Sequence, residues 1–400
     1  MIICFLYKTG IARRRKRRTL AHPLEFQHID KELNVKYPTS DGFVSAHILR
    51  IFDNFPFIFV SMSRRRVTID DVADLAGVSY QTVSRVINNR PEVSDTTRER
   101  VQKVIDETGY RPSHIARSLA TARTATIGLV VPDISNPFFS VIARGAEQIA
   151  SERGYGILLS STSEDVSREI DALHMLEERY VDGVIVCGFR EEDEPLREAL
   201  SRFNAVVLVN RRIEGKQFPA VLVDDELGGY LVTRHLLQIG HSAVGLLTGP
   251  SNSYSGARRL DGYQRALAEA EIEPDPLWVR HCKPTVMCGE QAARSFLEEH
   301  PELTALFCHN DLVALGALRG CAELGLEVPA DVAIAGFDDI MLAEIVSPAL
   351  TTCRVPREVI GRCATLMLLD TINEEKGDDS EVMIEPSLVV RASTAVKKEP

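Results

Sequence analysis

No run of this 400-residue chain reaches the roughly 18 apolar residues needed to cross a bilayer, so no membrane partner is expected. The common catalytic signatures are missing as well. There is no phosphate-cradling P-loop, no G-x-G-x-x-G after a strand, no H-E-x-x-H and no nucleophile elbow. Nothing pairs a nucleophile with a base, so neither an enzyme nor a cofactor is expected. The eight cysteines (Cys4, Cys187, Cys282, Cys288, Cys308, Cys321, Cys353 and Cys363) form no C-x-x-C pair, and most lie in apolar runs. They read as free thiols in a reducing cytoplasm. Cys282 and Cys288 are the tightest pair, but no nearby His/Cys set completes a metal shell. Solenoid repeats and low-complexity tracts are also lacking, as is a leucine heptad in SLVVRASTAVKKEP after the last strand. A dimer is expected rather than a tetramer built on a helical tail.

The start, MIICFLYKTGIARRRKRR, is apolar then basic, the reverse of a secretory signal. Its basic hexapeptide suits nucleic acid or a membrane surface. Up to Ser61 there is no sustained periodicity, and Met62 stands directly before the first well-capped pattern. Residues 1–61 are therefore expected to be an unstructured extension or a start-site artefact. The net charge of -11 is unevenly spread. Residues 1–63 hold 10 Lys/Arg and 5 Asp/Glu, residues 64–123 hold 11 and 8, and the totals of 46 and 57 leave 25 and 44 for residues 124–400. A basic front on an acidic body suits a chain whose front alone meets a polyanion.

From Thr68 the pattern becomes regular. TIDDVADLA predicts a helix, with Thr68 and Asp71 at capping-box spacing and Ile69, Val72, Ala73 and Ala76 as its apolar stripe. Gly77 breaks it, Ser79 caps the next, and residues 80–87 form a second helix. SDTTRERVQKVIDETG predicts a third, with Val101, Val104 and Ile105 inward and Gly109 as its stop. Helix, turn, helix is the unit whose second helix enters a DNA major groove. That helix turns Val83, Val86 and Ile87 inward and Tyr80, Gln81, Ser84, Arg85 and Asn88 outward. Arg pairs with guanine and Gln with adenine, while Thr68, Ser79, Thr82, Ser84 and Asn88 suit the phosphate backbone. A plain solvated face is the alternative for the polar residues taken singly; the whole pattern TIDDVADLAGVSYQTVSRVIN favours DNA.

After a polar linker with a short helical stretch around Ser113–Ala120, strand-like and helix-like segments alternate. One series of apolar runs covers 127–131, 155–161, 181–188, 205–210 and 220–224, and a second covers 243–249, 304–311 and 332–339. Continuous apolar strands imply parallel sheets covered on both faces, here an α/β core of two doubly wound lobes. Such sheets bind ligands beyond their strands' carboxyl ends. Those ends carry PDISNPFF, NRR, VDD, TGP, HND and GFDD.

These motifs resemble the lactose-repressor (LacI/GalR) family across residues 64–395. VSYQTVSRV is similar to that family's recognition helix and GYRPSHIARSLATART to its hinge helix, while HLLQIGH, LTGP, RLDGY, HNDLVALGAL and GFDD recur in order in its core. The resemblance implies a helix-turn-helix head (62–111), a hinge helix and linker (112–124), and a core similar to periplasmic sugar-binding proteins (125–395), with 396–400 as a tail. Lobe 1 would hold about 125–224 and 356–382, and lobe 2 about 225–355 and 383–395. It implies a cytoplasmic homodimeric repressor on a pseudo-palindromic operator, controlled by a small sugar-like effector. Tyr80, Gln81 and Arg85 would read bases. Leu119, with Ala120 beside it, would wedge into the minor groove, the alternative for Leu119 being a core residue of lobe 1.

The effector set implied is Asp133, Phe138, Phe139, Asn210, Arg211 and Asp224 from lobe 1, and Arg259, Asn310 and Asp338 from lobe 2. Planar forks of Arg, Asn and Asp grip vicinal hydroxyls and an aromatic face stacks on a ring, as a sugar requires. Simpler readings exist: a strand-end turn for Asp224 and Asp339, and a buried lobe contact for Phe138. Ser253 is neutral where the family's purine-binding member has a basic effector contact, which favours a neutral sugar. A solute-binding protein without a DNA role is the alternative, and a secretory signal would favour it.

Overall fold

The structure is a computed structural model that describes residues 33–39, 42–48, 67–111, 123–163, 165–188, 193–213, 218–374 and 381–395. Two compact units, Met1–Pro112 and Ser113–Pro400, divide the chain. Within the first 61 residues, where the sequence suggests no element, β1 (Leu33–Thr39) and β2 (Gly42–Ile48) form an antiparallel ladder. Such a pair is marginal by itself in water.

The first unit also contains the three helices expected: α1 (Ile69–Ala76), α2 (Tyr80–Ile87) and α3 (Asp95–Thr108). Thr68 and Asp71 make the full reciprocal capping box, with Thr68 N donating to the Asp71 carboxylate at 2.7 Å. Gly77 turns the chain at φ +61°, a left-handed conformation that glycine adopts without steric penalty. Val72, Ala73, Ala76, Val83, Val86, Val101 and Tyr110 close a single small core. Arg98 of α3 donates to Asn89 Oδ1 and the Arg90 carbonyl, tying the loop after α2 to α3.

In the second unit, lobe 1 begins with β3 (Thr126–Val131), α4 (Pro137–Glu152), β4 (Gly156–Ser161), α5 (Val166–Glu178), β5 (Gly183–Cys187), α6 (Asp193–Leu200), β6 (Val206–Val209) and β7 (Ala220–Val223). Lobe 2 follows with α7 (Asp225–Gln238), β8 (Val244–Thr248), α8 (Tyr254–Glu269), β9 (Val279–His281), α9 (Val286–Glu299), β10 (Ala305–Cys308), α10 (Asp311–Glu323), β11 (Ala333–Asp338), α11 (Met341–Ile345) and β12 (Thr351–Arg354). The chain then returns to lobe 1 for α12 (Arg357–Ile372) and β13 (Glu381–Ile384), and ends in lobe 2 with β14 (Ser387–Val389). Three short crossings, at Asp224, at Val355–Pro356 and at Glu385–Pro386, thus link the lobes.

The lobe 1 sheet runs β13-β7-β6-β5-β3-β4, all parallel. The lobe 2 sheet runs β14-β12-β11-β10-β8-β9, parallel except for the antiparallel edge pair β12–β14. Strands β5, β6, β7, β8, β10 and β11 are buried along their whole length, as continuous apolar runs require. The run 155–161 departs from that expectation: β4 is an edge strand, half open to solvent.

Glycines set one contact that matters for the site. A Cβ on Gly229 of α7 would lie 2.3 Å from the Arg259 carbonyl oxygen, and one on Gly262 of α8 would lie 2.0 Å from that of Glu226. With both positions bare, the backbones of α7 and α8 meet directly.

Candidate functional site

The strands of both lobes deliver their carboxyl ends to one pocket, with about 600 Å³ of empty volume. Lobe 1 contributes Pro132, Asn136, Phe138, Phe139, Gly188 and Asn210. Lobe 2 contributes Ser253, Tyr254, Ser255, Arg259, Pro284, His309, Asn310 and Asp338. Six of the nine residues expected at the effector site therefore meet here: Phe138, Phe139, Asn210, Arg259, Asn310 and Asp338.

Helix starts build much of the wall. Asn136, Ser253 and Asn310 are N-caps of α4, α8 and α10, accepting from Phe138 N, Gly256 N and Val313 N at 3.0, 3.2 and 3.0 Å. Their helices follow β3, β8 and β10, so three positive dipole ends converge near the pocket. Phe138 and Phe139 stand edge to face, centroids 5.1 Å apart, as an apolar side wall. Asn210 sits at φ +51° beyond β6 and accepts from Val223 N at 2.8 Å.

Arg259 is the charged centre of the lobe 2 wall. Its Nε donates to Asp225 Oδ1 at 2.8 Å, its Nη1 donates to the His309 carbonyl, and its guanidinium lies 3.6 Å over the Phe337 ring. Its Nη2 is 3.9 Å from Asp338 Oδ1, too far for a hydrogen bond. Asp338 ends β11 at φ +110°, a conformation that costs a non-glycine residue about 1–3 kcal/mol. Burial pushes its carboxyl up to about 7, with Arg259 and Arg357 opposing and Asp225 reinforcing the rise.

Three expected residues point elsewhere. Asp133 accepts from Ser135 N and Ser135 Oγ, both at 2.8 Å, and shapes the loop before α4. Arg211 is buried against Glu169 at 3.3 Å. Asp224 caps α7 by accepting from Leu227 N at 2.9 Å. Asp339 likewise stays outside, held by Arg354 and Arg391 at 2.6 and 2.7 Å. The sequence reading missed Asn136, Tyr254, Ser255, Pro284 and His309 on the wall, and Asp225 behind it. The caps before α4 and α8 carried the signal for Asn136 and the Ser253–Ser255 turn; Asp225 had none beyond its place in VDD.

On the head, Tyr80, Gln81 and Arg85 are exposed on α2, opposite the buried Val83 and Val86. Thr68 and Ser79 are exposed caps of α1 and α2, and the Ser79 and Thr82 hydroxyls meet at 3.0 Å. Ser84 is half-buried, and exposed Asn88 donates to its carbonyl at 2.9 Å. Leu119 and Ala120 lie outside the described residues. Among the described residues no cluster of three His/Cys/Asp/Glu could hold a metal, and no helix is long and apolar enough to cross a membrane.

The model of bacterial regulatory proteins of the lacI family matches residues 68–113, and that of periplasmic binding proteins and sugar binding domains of the LacI family matches 124–392. The chain belongs to the lacI family. It is a DNA-binding transcriptional repressor with a ligand-binding core. It is 37% identical to the HTH-type transcriptional repressor PurR of Vibrio campbellii (strain ATCC BAA-1116), over 83% of this chain and 99% of that one. The ribose operon repressor of Haemophilus influenzae is 35% identical over 82% of this chain and 98% of its own. Among solved structures, the lac repressor dimer bound to operator and the anti-inducer ONPF matches with a TM-score of 0.75 at 29% identity, covering 83% of this chain and all of that one. The regulator CelR in complex with cellobiose matches at 0.63 and 34% identity, over 82% of this chain and all of its own.

Proposed function

We propose that the pocket binds a neutral sugar-like effector and that its occupancy changes operator affinity. The observation that carries this reading is the pairing of Arg259 and Asp338 on one wall with Phe138 and Phe139 on the other. A guanidinium donates and a carboxylate accepts, which satisfies both sides of a diol, and the aromatic edge covers the apolar face of a ring. Arg259 offers hydrogen-bond donors and Asp338 an acceptor, a set that suits hydroxyl groups. The cellobiose complex and the ribose operon repressor among the relatives support a sugar. The PurR relatives are as similar overall, but Ser253 offers no basic contact here.

The head binds a pseudo-palindromic operator as a homodimer in the cytoplasm, with Tyr80, Gln81 and Arg85 on base edges. Thr68, Ser79, Thr82, Ser84 and Asn88 face the backbone, and Leu119 and Ala120 the minor groove. The core binds its ligand without chemistry. An effector that prefers one lobe arrangement shifts the hinge and with it DNA affinity, by its differential affinity for the two states. A thermal-shift screen of neutral mono- and disaccharides, sugar phosphates and purines on the full chain tests the reading. A neutral sugar should raise Tm; a response to purines or sugar phosphates alone would overturn it.

A further inference from the structure

Two carboxylates approach the same guanidinium, and they differ in what they do. Asp338 lines the pocket but stands 3.9 Å from Arg259, beyond hydrogen-bond reach. Asp225 takes the Arg259 Nε–H at 2.8 Å yet is sealed behind the wall, 1% exposed and not among the lining residues. We propose that Asp225 is the positioning residue of the effector site, holding Arg259 in the pose in which an effector meets it and leaving Asp338 free to accept from the ligand. The proposal rests on the effector reading of the pocket given above.

All the groups that fix Arg259 come from lobe 2: Asp225 at the start of α7, the His309 carbonyl after β10, and the Phe337 ring on β11. The guanidinium is therefore set before lobe 1 contributes anything, which lowers the ordering cost on binding. The bare Gly229–Gly262 crossing is what brings Asp225 beneath the side chain of its neighbouring helix. The arrangement is costly by itself. Asp225 Oδ2 is buried with no hydrogen-bond partner, and burial pushes this carboxyl up against the pull of Arg259. A half-satisfied buried carboxylate is a poor stabilising device, since apolar residues fill such a space as well or better. Its geometric effect on Arg259 is what it supplies.

The test uses the full-length protein with arginine-selective 15N labelling, and needs no ligand for its first part. Exchange of the Arg259 Nε proton with solvent should be slowest in the wild type, faster in Asp225→Asn, which keeps an oxygen acceptor but loses the charge, and at least tenfold faster than wild type in Asp225→Ala. Equal rates in wild type and Asp225→Asn would overturn the proposal, and this comparison decides the matter if Asp225→Ala fails to fold. In the second part, D-ribose and cellobiose are titrated by calorimetry. For a sugar that binds the wild type, Asp225→Asn should bind at least tenfold more weakly although Asp225 touches no ligand, and unchanged affinity would overturn the proposal. If neither sugar binds the wild type, that counts against the sugar reading, and the proton-exchange result alone decides the role of Asp225.

Discussion

Glu169 of α5 and Arg211, two residues beyond β6, form a buried ion pair at 3.3 Å, with neither side chain more than 3% exposed. Burial raises the Glu169 carboxyl from 4.5 to about 7 despite the attraction of Arg211. The folded state thus holds a proton that the unfolded chain releases near 4.5. Its contribution to stability is full below 4.5 and is lost as pH rises through about 7. Urea denaturation should show core stability falling across that window. Glu169→Gln should flatten the fall, and parallel profiles for the two proteins would contradict the assignment. Arg211→Ala removes the attraction that opposes this rise and should move the upper edge of the window to higher pH.

Asp338 titrates in the same range for a different purpose. Effector hydroxyls that donate to it favour the carboxylate, so binding releases a proton. Affinity should then rise with pH and level off above about 7, with a slope below that point of at most roughly tenfold per pH unit. Calorimetry in two buffers of different ionisation enthalpy measures the proton released. Release of none between pH 6 and 7 would show that the ligand does not bond to Asp338.

Arg85→Ala and Gln81→Ala should each relax base preference at single operator positions, by roughly 1–3 kcal/mol. Both side chains are exposed on α2 and take no part in the head's core, so the fold should survive. Competition with operator variants reads the effect. Equal weakening on operator and random DNA would make them phosphate contacts.

Gly262→Ala places a methyl where the Glu226 carbonyl oxygen sits, and must push α8 from α7. Destabilisation of about 1–3 kcal/mol is expected. Because Asp225 and Arg259 sit on those two helices, effector affinity should fall with it. A stable variant with normal effector affinity would show that the crossing is not needed for the site.

The eight apolar runs read from the sequence all became strands; burial on both faces writes the unbroken hydrophobic signal of β5, β6, β7, β8, β10 and β11, whereas β4 keeps its apolar run half open at a sheet edge. β9, β12, β13 and β14 were not legible. They are three or four residues long, and β9, β13 and β14 lie at sheet edges with partly exposed side chains. The head was legible to its caps, since Thr68, Asp71, Gly77 and Ser79 act within a few residues of themselves. The pocket was legible where a motif ends a strand, as at Asn310 and Asp338. It was not where adjacent residues share one motif: in VDD the residue expected at the site, Asp224, caps α7, whereas Asp225 reaches Arg259. Only the packing of α7 on α8 separates the two.

The most direct measurement is operator binding by fluorescence anisotropy, with and without the neutral sugar that raises Tm, for wild type, Arg259→Ala and Asp338→Ala. Without sugar all three should bind operator alike, because the substitutions lie in the core and the DNA-reading side chains in the head. With sugar, the wild-type operator affinity should change while both variants keep their sugar-free affinity at the same concentration. Variants that fold, bind operator and respond at the wild-type sugar concentration would contradict the assignment of this pocket as the effector site.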